Sequence, residues 1–485
     1  MWVGYDDGGA LVFSGDERAY LGEPGSSYEY WVTVPPHQFD ALRRALAADP
    51  AADVLDLVCV HVGEIMARGE RTWLDDHGIE ARLPLPLVSR PMAPTRALLA
   101  LTAMAGFLLA CSPATQQPAA PSSSVASPTV AATAGPAPAA GPAAPACGDG
   151  EALLAGMSTR DKLAQLLMVG VTGAADARAV VDSHHVGGIF IGSWTDLSML
   201  SDGSLADIAA SAGPLPLAVS VDEEGGRVSR LAGLIGSQPS PRVLAASHTP
   251  DEVYNIALAR GQAMRKLGIT IDFAPVVDVT NAPDDTVIGD RSFGADPTAV
   301  TDYAGAYARG LRDAGLLPVL KHFPGHGHGS GDTHTGSVVT PPIADLHKND
   351  LIPYRTLTAQ PPVGVMVGHI QVPGLTGSDP ASLSPAAYAL LRSGDYGGPA
   401  FNGPVFTDDL SSMQAISDRF GVSEAALRGL QAGADVALWV TTDEVPAVLD
   451  RLEKALAAGE LTMPRVDASV LRIAAVKGPN PRCGR

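Results

Sequence analysis

Aromatic residues are scarce in this chain. Phe, Trp and Tyr together make 5% of its 485 residues, so a large core must be assembled from Ala, Val, Leu and Ile. Cysteine is scarcer: Cys59, Cys111, Cys147 and Cys483 are the four, and none shows metal-site spacing. Positive charge is also short. Lys and Arg number 33 against 52 Asp and Glu, and the net charge of −19 argues against nucleic acid or an anionic membrane surface as the main partner. That balance suits a soluble enzyme acting on a neutral or sugar-like substrate. Long apolar runs are lacking as well. The apolar stretch 97–110 falls short of the roughly 20 residues that a membrane-spanning helix needs.

That stretch has another use. It follows a short basic start, Met92 to Arg96, and ends in Leu108-Leu109-Ala110-Cys111. The pattern resembles a bacterial lipoprotein signal, in which the cysteine is lipidated and becomes the mature N-terminus. Residues 112–146 carry no charge and are mostly Ala, Pro, Ser, Thr and Gly, a composition that cannot bury a core and acts as a tether. Residues 92–111 are therefore read as a signal, 112–146 as a linker and 147–485 as the catalytic unit, lipid-anchored outside the cytoplasm. Residues 1–91 precede the signal and fit the plan poorly. They are acidic, with a helical pattern at 37–48 and a strand-like run at 30–34, and they are read as a misassigned start or a fusion, with no function assigned. Cys147 and Cys483 lie at the two ends of the catalytic unit. Domain termini are often close together, and an exported protein meets an oxidising compartment, so the two are expected to form a disulfide.

From residue 151 onward, short apolar runs alternate with helical patterns. The runs fall at 166–171, 187–191, 217–221, 271–276, 318–320, 364–368, 404–407 and 435–440, and helices are expected at 300–314 and 444–458. Continuous apolar strands suit a parallel sheet covered on both faces. Eight such units predict a (β/α)8 TIM barrel. Polar residues gather just after the runs: Asp222, Lys321, His322, His369 and Asp408. Barrel active sites form at the C-terminal ends of the strands, so this placement points to function independently of residue type.

The densest cluster is Lys321-His322-Phe323-Pro324-Gly325-His326-Gly327, followed by Asp332-Thr333-His334. Its glycines imply a mobile loop or a close backbone approach to a ligand. Asp332 stands two residues before His334, where a carboxylate can orient an imidazole for proton transfer near neutral pH. Asp408 is the first acid past the run 404–407, held rigidly enough for nucleophilic attack, whereas Asp409 suits capping of the segment at Ser411 and Ser412.

Five motifs together carry a resemblance: Val221-Asp222-Glu223-Glu224-Gly225-Gly226-Arg227-Val228, Ile288-Gly289-Asp290-Arg291-Ser292-Phe293-Gly294, the 321–327 cluster, Asp332-Thr333-His334 and Thr407-Asp408-Asp409-Leu410. Residues 150–480 resemble glycoside hydrolase family 3, in particular its single-domain β-N-acetylglucosaminidases of the NagZ type and their mycobacterial lipoprotein members. The resemblance implies that Asp408 is the nucleophile of a retaining hydrolase and that Asp332 and His334 form the acid/base pair. It implies that Asp222, Arg230, Arg291, Lys321 and His322 hold the terminal sugar. It further implies a GlcNAc-containing oligosaccharide or muropeptide substrate, cell-wall recycling, a monomer, and neither metal nor organic cofactor. His328 departs from the motif as an extra imidazole and is expected to face solvent.

Other readings of the same residues stand beside this one. A phosphorylase would use the same site with phosphate in place of water. A metal-dependent barrel hydrolase would use His326 and His328 with His322, His334, His369 and Asp408. A non-catalytic sugar-binding lipoprotein would have no need of both an acid/base pair and a nucleophile.

Overall fold

A strand that is apolar along its whole length must be covered on both faces. Eight of them occur in the catalytic unit of the computed structural model: β1 (Leu167–Val171), β2 (Gly188–Ile191), β3 (Ala218–Val221), β4 (Ile271–Asp272), β5 (Leu317–Phe323), β6 (Gly364–Val367), β7 (Val405–Thr407) and β8 (Ala437–Trp439). Every residue in them is buried. They pair in parallel in the order β7-β6-β5-β4-β3-β2-β1-β8, and a parallel bridge between Phe406 and Val436 brings β7 to the start of β8, all but completing the ring. The predicted (β/α)8 barrel is the fold.

One helix answers each strand: α1 (Ala174–His184), α2 (Ser204–Ser211), α3 (Pro250–Lys266), α4 (Pro297–Asp313), α5 (Ile352–Leu357), α6 (Pro385–Ser393), α7 (Val422–Ala432) and α8 (Val445–Ala458), with α9 (Met463–Lys477) after them. Their starts are written locally. Thr249 and Glu252 form a capping box before α3, with Pro250 at the first helical position. Asp296 accepts the N–H of Thr298 and starts α4 three residues before the expected 300. A cap of this kind is worth about 1 kcal/mol.

Two strands differ from expectation. The run 271–276 pairs as a strand only at Ile271–Asp272, and pairing resumes at an isolated bridge from Val276 to Lys321. Pro275 has no N–H to give the ladder. Conversely, β5 extends three residues past 320 and carries Lys321 and His322 inside the barrel wall.

The chain forms two compact units, residues 1–136 and 137–485. The structure describes residues 144–483 throughout and, of the first unit, residues 2–5, 11–17 and 28–46 with a few positions up to 79. The signal 92–111 with Cys111, and the tether as far as residue 143, lie outside the described residues. In the first unit, strands Trp2–Tyr5, Leu11–Glu17 and Tyr28–Val34 form an antiparallel sheet, and a helix follows at Phe39–Ala45. Leu11, Val34, Leu42 and Trp73 share an apolar core there. Among the described residues no helix is long and apolar enough to cross a membrane.

Cys147 and Cys483 are bonded, with Cα atoms 5.5 Å apart. The neighbouring Ala146 N–H donates to the Pro214 carbonyl (3.0 Å), and the Asn480 amide donates to the same carbonyl (2.9 Å). Both ends of the unit are thus pinned beside the loop that precedes β3.

Candidate active site

The end of β3 sends three carboxylates in three directions. Asp222 opens toward the barrel mouth, with 23% of its side chain exposed. Glu223 is fully buried and turns toward α3, where it pairs with Arg260 and accepts the Ser229 hydroxyl (2.6 Å) and the backbone N–H groups of Arg230 (2.7 Å) and Leu231 (2.8 Å). Glu224 receives Arg291 in a bidentate pair, both contacts at 2.8 Å. Lys321 reaches across from β5 to stand 2.5 Å from Glu224 and 2.5 Å from Asp222. The result is a ladder, Asp222–Lys321–Glu224–Arg291, of alternating sign. Burial pushes the Glu224 carboxyl up, but Arg291 and Lys321 overcome this and hold it well below the usual range. Burial likewise works against the Lys321 ammonium, and Asp222 and Glu224 more than offset it. Asp222 keeps an oxygen toward the mouth, which suits it to bind hydroxyls.

His322 is oriented by Asp278, a residue that the sequence reading passed over. The Asp278 carboxylate stands 2.7 Å from His322 Nδ1 and accepts the backbone N–H groups of His322 (3.3 Å) and His326 (2.7 Å). Burial pushes this carboxyl up, and the facing imidazole of His322 brings it down below the usual range. Asp278 follows the apolar pair Val276-Val277, so the strand-end rule that singled out Asp222 and Asp408 also points here.

Asp408 follows β7 and is 7% exposed. One of its oxygens accepts the Asp409 N–H at 3.0 Å. Burial alone would raise its pKa, but His369 and His322 nearby, with that N–H, hold it below the usual carboxylate range, so it is ionised at neutral pH. Asp409 plays the capping part: its carboxylate accepts the N–H and hydroxyl groups of Ser411 and Ser412. His369 has both ring nitrogens engaged, Nδ1 with Ser382 Oγ and Nε2 with the Asp409 carbonyl, each at 2.6 Å. It fixes the segment bearing Asp408 from behind.

The β5 loop brings the last pair. Asp332 Oδ1 accepts the backbone N–H of His334 (2.9 Å) and also bonds its Nδ1 (2.7 Å), which turns Nε2 outward. Burial lowers the His334 pKa, and Asp332 reverses the effect and raises it above the usual histidine range. The loop rests on the stretch beyond Asp408: Ala415 N–H donates to the Thr333 carbonyl (3.2 Å) and Gln414 N–H to that of His334 (3.5 Å). A bonded imidazole and an ionised carboxylate thus belong to two segments that are stitched together.

The glycines of this loop serve packing more than ligand approach. A Cβ at Gly325, whose φ is +132°, would overlap the Asp350 side chain, and one at Gly327 would overlap the Val279 carbonyl. His328 does not face solvent freely as expected; its Nδ1 is 2.9 Å from Asp350, whose carboxylate raises the imidazole pKa. His326 is buried, and desolvation lowers its pKa to about 4, so the ring is neutral. Arg230 is the outlier among the expected sugar contacts. Its backbone is tied to Glu223, but its guanidinium makes no hydrogen bond among the described residues. The metal reading needs the histidines to converge, and among the described residues no three metal-ligating groups do.

Residues 158–476 match the family described as glycosyl hydrolase family 3, N-terminal domain. The chain is 66% identical over 396 residues to the beta-hexosaminidase LpqI of Mycobacterium tuberculosis, covering 81% of this chain and all of that protein. The solved structure of M. tuberculosis LpqI superposes with a TM-score of 0.69 at 71% identity, covering 70% of this chain and 98% of that one. A glycoside hydrolase family 3 β-N-acetylglucosaminidase from a Paenibacillus species superposes with a TM-score of 0.62 at 34% identity, covering 66% of this chain and 62% of that one. With the barrel, the strand-end carboxylates and these likenesses in agreement, the chain belongs to glycosyl hydrolase family 3 and is a glycoside hydrolase.

Proposed function

We propose that this protein is a retaining exo-β-N-acetylglucosaminidase that removes non-reducing GlcNAc residues from peptidoglycan fragments. The observation that carries the reading is the ionised Asp408 on a segment hydrogen-bonded to the loop of the Asp332–His334 pair. Asp408 attacks the anomeric carbon. His334, protonated and held by Asp332, gives its Nε2 proton to the departing sugar oxygen. The covalent glycosyl-enzyme is then released by a water that His334 deprotonates. Asp222, Arg230, Arg291, Lys321 and His322 hold the terminal sugar. The naming of the hexosaminidase relatives supports the GlcNAc preference.

The same proposal places the enzyme on the outer face of the cell membrane. Cys111 is its lipidated residue and 112–146 its tether, and it works as a monomer in cell-wall recycling. The catalytic steps use side chains alone.

The test is hydrolysis of GlcNAc-β-1,4-MurNAc, followed by NMR of the released anomer, in wild type and Asp408→Ala. Net retention, survival in EDTA and loss in the variant are the expected outcome. Inversion, or activity that persists in Asp408→Ala, sinks the mechanism. The histidine acid/base favours one second reading, because a neutral imidazole repels phosphate less than a carboxylate does. Release of GlcNAc-1-phosphate in phosphate buffer would make the enzyme a phosphorylase.

A further inference from the structure

Of the three carboxylates at the end of β3, Glu223 is the one that turns away from the barrel mouth. It is fully buried, and its partner Arg260 on α3 is 8% exposed. Taking both charges out of water is expensive, and apolar side chains of similar volume are often as stable in such a place. What a fully bonded buried pair can add is one fixed conformation of the segments it joins.

The conformation fixed here is a turn. Glu223 Oε1 accepts the Ser229 hydroxyl and the Arg260 guanidinium, and Oε2 accepts the backbone N–H groups of Arg230 (2.7 Å) and Leu231 (2.8 Å). Four donors are the full complement of a carboxylate. Arg260 also donates to the Gly236 carbonyl (3.0 Å), so the segment 229–236 is held at both ends from α3. The Glu223 peptide is fixed as well. Its N–H donates to Asp272 Oδ1 on β4 (3.0 Å), and its carbonyl accepts the Tyr307 hydroxyl from α4 (3.2 Å). Both of these partners are buried.

Arg230 lies within this turn. The other cations assigned to the terminal sugar are placed by side-chain ion pairs, Arg291 by Glu224, and Lys321 by Asp222 and Glu224. Arg230 has no such pair among the described residues, and what fixes its position is the bond from its backbone N–H to Glu223. We propose that Glu223 is a positioning residue for substrate binding: without touching the sugar, it sets the turn that delivers Arg230 to it. This deepens the exo-glycosidase reading above and rests on it.

The experiment is a double-mutant cycle on GlcNAc-β-1,4-MurNAc with the full chain: wild type, Glu223→Gln, Arg230→Ala and the two combined. An amide in place of the carboxylate turns its NH2 group either on the two backbone N–H groups or on Arg260, so the turn shifts while the side-chain volume stays. Glu223→Gln is expected to raise KM about 10-fold and to change kcat less than about 2-fold. The combined variant is expected to match Arg230→Ala in kcat/KM, because a displaced turn loses nothing further once the guanidinium is gone. A merely structural role would lower the active fraction, and so kcat, in both backgrounds alike. Ser229→Ala removes one donor from Glu223 and is expected to show a smaller loss of the same kind; it serves if melting curves show that Glu223→Gln is misfolded. Losses that multiply in the combined variant, a loss confined to kcat, or a Glu223→Gln that behaves as wild type overturn the positioning role while leaving the glycosidase reading intact. An Arg230→Ala variant with wild-type KM does the same. A wild type that releases no GlcNAc overturns both.

Discussion

A single carboxylate oxygen of Asp332 holds His334 twice, by the backbone N–H at 2.9 Å and by Nδ1 at 2.7 Å. The double grip sets both the tautomer and the direction of Nε2. It also raises the imidazole pKa, so the acid form persists to higher pH than a free histidine would allow.

Asp332→Ala is therefore expected to lower kcat about a hundred- to ten-thousand-fold on a disaccharide, and less on a glycoside whose leaving group needs no proton. The basic limb of the kcat/KM profile should move to lower pH, because the raised His334 pKa falls back when its partner goes. An unmoved basic limb would mean that His334 is not the group being titrated.

Glu224 sits between two cations. Glu224→Gln leaves Arg291 and Lys321 buried without their shared carboxylate, and a loss of about 3–5 kcal/mol is expected in denaturant melts. The pH dependence follows from the depressed pKa. Its contribution is complete above the ordinary glutamate value of 4.5 and fades as pH falls through the folded-state value. The gap between wild type and variant should accordingly narrow in acid. A constant gap down to strong acid would refute the pairing as its source.

Asp278→Ala removes the acceptor for two buried N–H groups and for the His322 ring. A loss of roughly 10- to 100-fold in kcat/KM is expected, chiefly in KM if His322 binds the terminal sugar. Asp278→Asn retains one acceptor oxygen and should lose less. Equal losses in the two variants would argue against hydrogen bonding as the cause.

The Cys147–Cys483 bond ties the two ends of the catalytic unit. Its removal by Cys147→Ser with Cys483→Ser is expected to cost about 2–4 kcal/mol. Thermal melts with and without reductant check this: reductant should lower the wild-type transition to that of the double variant and leave the variant unmoved.

Much of this is legible in the sequence. Apolar runs marked all eight strands because each is covered on both faces, and Asp222, Lys321, His322 and Asp408 were singled out because they follow those runs. What stayed hidden was pairing between distant segments. Nothing local tells that Glu224 receives Arg291 and Lys321, residues 67 and 97 positions away, or that Asp278 serves His322. His328 looked like a spare surface imidazole because Asp350, its partner, comes 22 residues later. Arg230 carries the reverse lesson. The family resemblance places it with the sugar contacts, yet among the described residues only its backbone is engaged.

The entry point of the catalytic unit has a further consequence. Ala146 is bonded to Pro214 in the loop before β3, and Cys147 is bonded to Cys483, so the chain comes in at the pole where the strands begin. Asp408, His334 and Asp222 belong to the opposite pole, where the strands end. On the tether reading proposed above, residues 112–146 would therefore join the barrel at its back, on the side away from the site.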